Sequence, residues 1–129
     1  MYKGKTVLVT GHTGFKGSWL TAWLYRLGAE VVGVSWDIPS EPSNFVVSTK
    51  KMLSQDHRVD VRDATKIETI INDCQPDFVF HLAAQALVRP SYENPLDTLS
   101  INAMGTASVL NALRFIKKHV TAIMITSDK

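Results

Sequence analysis

Three glycines spaced three residues apart, in the segment TGHTGFKG, have the pattern of a phosphate-binding turn. An apolar run at residues 6–9 precedes them, and a helix-like run at 18–24 follows them. In such a turn Gly11 permits the sharp bend, Gly14 lets a pyrophosphate approach the backbone, and Gly17 lets the helix pack against the sheet. The helix N-terminus offers unpaired N–H groups and partial positive charge to the phosphates. The context predicts a dinucleotide site; the alternative is a glycine-rich turn without a ligand.

An acidic residue, Asp37, follows Gly17 by twenty residues, at the end of the second predicted strand. A carboxylate there can accept hydrogen bonds from both ribose hydroxyls of an adenosine half, and it would repel a 2′-phosphate. The sequence therefore favours NAD over NADP as the cofactor. The alternative is a loop aspartate with no ligand. Lys16, inside the glycine turn, either contacts a phosphate or is only solvated.

Alternating strands and helices must position these residues. Apolar and β-branched runs predict five strands, at residues 7–10, 30–36, 57–61, 78–82 and 120–126. Helical spacing predicts a helix that follows the glycine turn and stops at Gly28, and a second over 64–74 that ends before Pro76. A long helix is predicted from Asn94 and Pro95 to near Lys118, and a short one at 45–53.

Helical periodicity also predicts which side chains face the core. The expected core face of the first helix consists of Phe15, Trp19, Leu20, Trp23, Leu24 and Leu27. The expected core face of the long helix consists of Leu99, Ala103, Thr106, Leu110 and Leu113. The Trp19 and Trp23 pair is expected either in the core or on a partner surface. His81 and Cys74 are expected as core residues, and His57 and His119 at the surface.

Strands that alternate with helices predict an α/β fold with a doubly wound parallel sheet, because parallel strands need crossover connections. The strands are apolar throughout, which is typical of a sheet covered on both faces. Residues 1–129 are interpreted as the N-terminal part of a dinucleotide-binding domain of the Rossmann type, truncated after the fifth strand. Ligands of such sheets bind at the carboxyl ends of the strands.

Composition narrows the function classes. The chain has 129 residues, 45 % of them apolar, and a net charge of +2 with scattered basic residues, so nucleic acid is not expected as a partner. No apolar run reaches the ~18 residues of a membrane span, so no membrane association is expected. Cys74 is the single cysteine, which excludes an intramolecular disulfide and agrees with a cytoplasmic location. No His, Asp and Glu residues have metal-ligand spacing, so no metal is predicted.

Several further motifs resemble those of the extended short-chain dehydrogenase/reductase family. The glycine spacing, Asp60-Val61-Arg62-Asp63, residues 81–85 (HLAAQ) and residues 102–106 (NAMGT) all match that family's pattern. The resemblance implies that the Asp60 carboxylate and the Val61 backbone N–H meet the adenine edge. It also implies cofactor contacts along the pyrophosphate and the nicotinamide ribose; the implied residues are Thr13, Phe15 and Lys16 of the glycine turn, Leu82, Ala83, Ala84 and Gln85, and Asn102.

Three segments are most similar to the sugar-nucleotide 4,6-dehydratases of that family, in particular those acting on CDP-glucose: GHTGFKG, AQALVRPSY and the final SDK. The resemblance implies an NAD-dependent lyase of lipopolysaccharide O-antigen biosynthesis. In the implied reaction a hydride passes from C4 of the sugar to NAD, water is lost across C5 and C6, and the same hydride returns to C6. In this scheme Ser127 binds the C4 oxygen, Asp128 protonates the departing hydroxyl, and Lys129 helps to take the C5 proton.

The family's proton relay, Tyr-x-x-x-Lys, is not found in this chain, whose tyrosines are Tyr2, Tyr25 and Tyr92. The substrate domain of the family is likewise absent from residues 1–129, so the chain alone is expected to be inactive. Two alternatives stay open: another sugar-nucleotide enzyme such as an epimerase, or a non-catalytic dinucleotide-binding module. The fifth strand would form an apolar sheet edge, which predicts pairing with another molecule and a homo-oligomer.

Overall fold

The computed structural model describes residues 1–126 and contains one parallel sheet of five strands. The strands are β1 (Thr6–Thr10), β2 (Glu30–Ser35), β3 (Gln55–Arg58), β4 (Phe78–His81) and β5 (Thr121–Met124). Their order across the sheet is β3-β2-β1-β4-β5. The chain builds β1 to β3 outward in one direction and then returns to place β4 on the other side of β1. This reversal confirms the predicted doubly wound arrangement and puts the ligand crevice beside the carboxyl end of β1.

Helices cover both faces of the sheet. They are α1 (Phe15–Arg26), α2 (Ala64–Cys74), α3 (Val88–Glu93), α4 (Pro95–Leu99) and α5 (Gly105–Leu113). A π-helical turn at Ser100–Met104 joins α4 to α5, and Phe45–Thr49 and Lys50–Met52 form shorter helical turns before β3. Within residues 1–126, none of the helices combines the length and the apolar character that a bilayer crossing requires.

The core has one layer on each face of the sheet. Leu8 of β1 packs with β2 and β4 residues against α2 and α5, whereas Val7 and Val9 point to the opposite face, toward α1. Gly105 begins α5 at a point where an added Cβ would lie 2.6 Å from Cγ2 of Val61. The close approach of α5 to Val61 therefore accounts for a glycine inside a helical stretch, where glycine costs about 1 kcal/mol relative to alanine.

The third strand begins two residues and ends three residues earlier than predicted. It ends at Arg58, and the chain turns at Asp60, whose carboxylate accepts a hydrogen bond from the backbone N–H of Arg62 at 2.9 Å. Such Asx turns compete with strand pairing because the side chain replaces a cross-strand partner. Residues 59–61, predicted as strand, instead lead into α2.

The predicted core face of α1 was largely wrong. Phe15 is 79 % exposed and Trp23 is 68 % exposed, and Trp19 and Leu27 are also exposed, so the core alternative for the tryptophan pair is excluded. The buried side of α1 consists mainly of small residues, with Leu24 as its one large member; these residues are Gly17, Ser18, Thr21 and Leu24. At Gly17 this buried side lies directly against the backbone of the glycine turn, which leaves no room for a larger side chain there.

The predicted long helix also differs in detail. It ends at Leu113, because Arg114 and Phe115 donate to carbonyls only three residues back, which tightens the last turn. Leu99, Ala103 and Leu110, predicted to face the core, are exposed, and Ser108, Val109 and Ala112 are buried in α5 instead. The helical period was correct, but the buried positions of α5 lie one residue earlier than predicted.

Candidate functional site

The glycine turn forms the centre of the candidate site. Gly11 has a φ of +75°, and an added Cβ there would lie 2.8 Å from the backbone N of Ala83. Gly17 has even less space, since its Cβ would lie 2.1 Å from the carbonyl oxygen of Gly11. Gly11 therefore makes the predicted tight turn. Gly17 permits close packing too, but onto the backbone of the turn and not onto a strand.

Gly14 differs from the other two glycines. The nearest atom to a Cβ on Gly14 would be the Gly11 oxygen at 3.3 Å, with nothing else of the described residues within 4 Å. Gly14 is also the N-cap of α1, a position with no side-chain cap, and the first turn of α1 has no acidic residue. A pyrophosphate can therefore approach the N–H groups at this end of α1. Phe15 and Lys16 are exposed beside it.

Thr13 connects the glycine turn to the loop after β2. Its hydroxyl donates to the backbone oxygen of Asp37 at 2.7 Å, and its N–H donates to Oγ of Ser35 at 3.4 Å. Arg58 also donates to the Asp37 oxygen, at 3.3 Å. The backbone of Asp37 is thus fixed from two sides. Within residues 1–126 the structure gives its exposed carboxylate no hydrogen-bond or ion-pair partner, which leaves it free for ribose hydroxyls.

A buried histidine that sequence reasoning missed holds the glycine turn from below. His12 is fully buried; its Nε2 lies 2.9 Å from Oδ1 of Asp56, and its Nδ1 lies 3.1 Å from Oγ of Ser35. A carboxylate can only accept, so Nε2 carries the proton and donates to Asp56, while the Ser35 hydroxyl donates to Nδ1. Burial lowers the pKa of His12, partly offset by the Asp56 charge. The neutral imidazole therefore links the turn to β2 and β3.

A second chain of hydrogen bonds positions the loop after β4. The N–H of Ala83 donates to the Thr10 hydroxyl at 3.2 Å, and this hydroxyl lies 2.7 Å from Nδ1 of His81. Nε2 of His81 lies 3.1 Å from the hydroxyl of Thr106, which itself donates to the Asn102 oxygen at 2.7 Å. His81 is buried, and burial lowers its pKa. It is the hydrogen-bonded core residue that the sequence predicts.

Asn102 holds the same loop through its side chain. Its Oδ1 accepts from the N–H of Gln85 at 2.8 Å, and its Nδ2 donates to the Gln85 oxygen at 3.1 Å. The Leu82 N–H donates to the backbone oxygen of Thr10 at 3.1 Å. Residues 82–85, including Ala84, therefore run beside the glycine turn as predicted. The amide of Asn102, however, is already bonded to the protein backbone, so Asn102 positions the loop.

The loop after β3 contains the two residues predicted to contact adenine, Asp60 and Val61. Val61 is buried in the core against Gly105. The Asp60 carboxylate is bonded to Arg62: Oδ1 accepts from Nε at 3.0 Å, and Oδ2 accepts from Nη2 at 2.6 Å. These bonds hold the pKa of Asp60 below its usual range. Asp60 thus lies at the predicted place, but its carboxylate is already paired.

The predicted catalytic residues Ser127, Asp128 and Lys129 lie outside the described residues. β5 ends at Met124, which is paired with His81, at the same sheet edge as the glycine turn. Among residues 1–126, no three or more His, Cys, Asp or Glu side chains are grouped as metal ligands would be, and the absence of a metal stays a prediction.

Comparison with known proteins agrees with this geometry. Residues 8–129 match the family model described as GDP-mannose 4,6 dehydratase. The chain is 46 % identical to CDP-glucose 4,6-dehydratase of Salmonella typhimurium over 99 % of its own length and 36 % of that protein. It is 33 % identical to GDP-mannose 4,6-dehydratase of Vibrio cholerae over 87 % of the chain and 32 % of that protein. The chain therefore spans about a third of the length of these curated relatives.

A solved structure shows the same fold with a cofactor. The Thermus thermophilus UDP-glucose 4-epimerase in complex with NAD superposes with a TM-score of 0.73 and 34 % identity, over 84 % of this chain and 33 % of that one. An epimerase of Methanothermobacter thermautotrophicus superposes with a TM-score of 0.79 and 32 % identity, over 90 % of this chain and 33 % of that one.

Proposed function

Because this chain belongs to the GDP-mannose 4,6-dehydratase family, we propose that it is the NAD-binding part of a sugar-nucleotide 4,6-dehydratase that acts on CDP-glucose. The observation that carries this proposal is the 46 % identity to a CDP-glucose 4,6-dehydratase across 99 % of the chain. The identity to a GDP-mannose enzyme is lower, at 33 %. This difference favours CDP-glucose among the nucleotide sugars.

The residues present fit a bound NAD. The uncapped N-terminus of α1 and the open space at Gly14 would receive the pyrophosphate, and the exposed carboxylate of Asp37 would accept hydrogen bonds from the adenosine ribose. The loop at residues 82–85, held by Thr10 and Asn102, would line the nicotinamide half. The Asp37 carboxylate would also repel a 2′-phosphate, which favours NAD over NADP.

When bound, NAD would accept a hydride from C4 of the sugar and return it to C6. The proton of the C4 hydroxyl would pass to the relay tyrosine that the family resemblance implies, which residues 1–129 do not supply. The 4-keto group makes the C5 proton acidic, so the elimination of water needs a base at C5 and an acid at the C6 hydroxyl. We propose Lys129 and Asp128 for these roles, and Ser127 as a hydrogen-bond donor to the C4 oxygen. The support for these three residues is their order directly after β5, which ends at the carboxyl edge of the sheet.

The test is turnover of CDP-glucose deuterated at C4 by the whole dehydratase of which residues 1–129 are the proposed NAD-binding part, followed by mass spectrometry. A 4,6-dehydratase would give a product lighter by one water that retains the deuterium at C6. GDP-mannose and UDP-glucose serve as competing substrates. An isomer of unchanged mass would instead indicate an epimerase. NAD binding with no turnover of any nucleotide sugar would indicate a non-catalytic dinucleotide-binding module.

A homo-oligomer is also part of this proposal. Large apolar side chains are exposed on the helices that follow β4, among them Tyr92 and Leu96, at 84 % and 80 % exposure. These two helices, α3 and α4, contact each other, and apolar surface on neighbouring helices typically marks a protein interface. A second copy is the proposed partner, and sedimentation velocity of the wild type and of Leu96→Lys would test it. We further propose a cytoplasmic enzyme of lipopolysaccharide O-antigen biosynthesis, which the CDP-glucose assignment supports.

A further inference from the structure

An exposed indole lies at the ligand edge of the sheet. Trp36 is the first residue after β2 and directly precedes Asp37, and 61 % of it is exposed. The strand pattern predicts Trp36 as the last residue of the second strand. In the structure it lies outside the strand, at the carboxyl edge where ligands of doubly wound sheets bind. Its position at this edge, and not its exposure alone, makes the indole available for stacking on a ligand.

A guanidinium group is held against this indole. The Cζ atom of Arg62 lies 5.3 Å from the centre of the Trp36 ring. Arg62 itself is fixed by two carboxylates: Nη2 donates to Asp60 Oδ2 at 2.6 Å, and Nη1 donates to Asp97 Oδ1 at 2.6 Å. The guanidinium plane is therefore positioned before any ligand arrives, which reduces the entropy lost on binding.

The pairing of Asp60 with Arg62 adds a positioning role to the adenine contact that the family resemblance implies for Asp60. Its Oδ1 accepts from both the backbone N and Nε of Arg62, and its Oδ2 accepts from Nε and Nη2. Nε carries a single hydrogen that the two oxygens share, so three N–H groups of Arg62 are bonded to this carboxylate. Asp60 therefore holds the Arg62 guanidinium in place, and its carboxylate keeps acceptor capacity for the adenine edge.

We propose that Trp36 and Arg62 form the stacking surface for the adenine base of the bound dinucleotide, with Asp60 and Asp97 as positioning residues. This inference rests on the proposed NAD function. Asp37 would hold the ribose that carries the base, so the base must lie within one sugar's reach of Trp36. Aromatic rings and arginine planes both stack on nucleobases, and one such stack contributes about 1–3 kcal/mol to binding.

The test uses ADP-ribose, which contains the adenine half without nicotinamide, and measures its dissociation constant by calorimetry. Trp36→Leu keeps an apolar side chain but removes the ring, and we expect it to weaken binding about tenfold. Trp36→Phe keeps a ring and should stay within about threefold of the wild type. Trp23→Leu, at a tryptophan of similar exposure on α1, is the matched control and should bind like the wild type.

The Arg62 side of the surface needs its own variants. Arg62→Lys keeps the charge but loses the plane, and should weaken ADP-ribose binding about fivefold. Asp97→Asn should weaken ADP-ribose binding less than Arg62→Lys does. Asp97→Glu keeps the carboxylate, so it should bind ADP-ribose like the wild type if Asp97 acts by positioning the guanidinium. Thermal unfolding midpoints of all variants show whether a loss of binding reflects a loss of fold.

Equal binding by Trp36→Leu and the wild type would overturn the inference, as would equal losses in Trp36→Leu and Trp36→Phe. These outcomes leave the dehydratase proposal intact. Conversely, the Trp36→Leu and Trp36→Phe pattern expected here, together with no turnover of CDP-glucose, would support the stacking surface and overturn only the dehydratase. A wild-type protein that binds neither ADP-ribose nor NAD would overturn both.

Discussion

Replacing Gly33 by alanine should destabilise the protein, because the space beside Gly33 is filled by His12. An ideal Cβ on Gly33 would lie 2.6 Å from both Cγ and Cδ2 of the imidazole. The ring cannot withdraw easily: it is fully buried, bonded at both nitrogens, and packed edge-on against Phe45 with ring centres 5.2 Å apart. Overpacking of this kind typically costs about 1–3 kcal/mol, and we expect a value near the upper end for Gly33→Ala.

The matched variant His12→Ala should also be destabilising, by about 3 kcal/mol, since it removes a buried ring and two hydrogen bonds. In the double variant, the methyl group that Gly33→Ala introduces would occupy space that the imidazole has vacated. We therefore expect Gly33→Ala to cost little or nothing in the His12→Ala background. The coupling free energy between the two sites should be about 2 kcal/mol.

The assay is urea unfolding of the wild type, both single variants and the double variant, monitored by circular dichroism. Unchanged slopes against urea would show that the variants alter stability and not the surface exposed on unfolding. Gly105→Ala is the control, because its Cβ would meet Val61 and not His12, so it should not couple to His12→Ala. Additive losses within about 0.5 kcal/mol for the Gly33 and His12 pair would refute the reasoning.

Other predictions concern pH, the glycines, the cofactor and the thiol. Burial lowers the pKa of His12 below 6.5, so near that pH the unfolded chain binds a proton that the folded chain excludes. The free energy of unfolding should therefore fall as the pH drops below about 6.5. Urea titrations at several pH values should show this fall, and it should be less steep in His12→Ala. Gly17→Ala should lower the free energy of unfolding by about 3 kcal/mol, whereas Gly14→Ala should change it by less than about 1 kcal/mol. Calorimetry should nevertheless show that Gly14→Ala weakens NAD binding about tenfold. Asp37→Asn should weaken NAD binding about tenfold and improve NADP binding, and an unchanged NAD to NADP ratio would contradict the ribose role. Burial raises the pKa of Cys74 to about 11, so a thiol reagent at neutral pH should label it much more slowly in the folded than in the unfolded protein.

Most elements of the fold were predictable because their signals are local. Apolar runs identified β1, β2, β4 and β5, and the glycine turn, Gly28 and Pro76 marked the ends of helices. The third strand, β3, is polar and overlaps its predicted range only at His57 and Arg58. The errors came where a local signal had a non-local competitor. The third strand was misplaced because the side chain of Asp60 bonds to the backbone N–H of Arg62, and the face of α1 was misassigned because Gly17 brings that helix close to the turn.

The sequence alone determined the glycine turn, the order of strands and helices and the position of Asp37 after β2, since each depends on residues close together in the chain. Only the tertiary structure decided that His12 bonds to Asp56, forty-four residues away, and that the Arg62 guanidinium lies over Trp36. The physical reason is strand register. Gly33 lies opposite Asp56 in the sheet, which brings the Asp56 carboxylate and the open space over Gly33 to the same buried imidazole. A hydrophobic pattern specifies which residues are buried, but the pairing of strands specifies which buried polar groups meet.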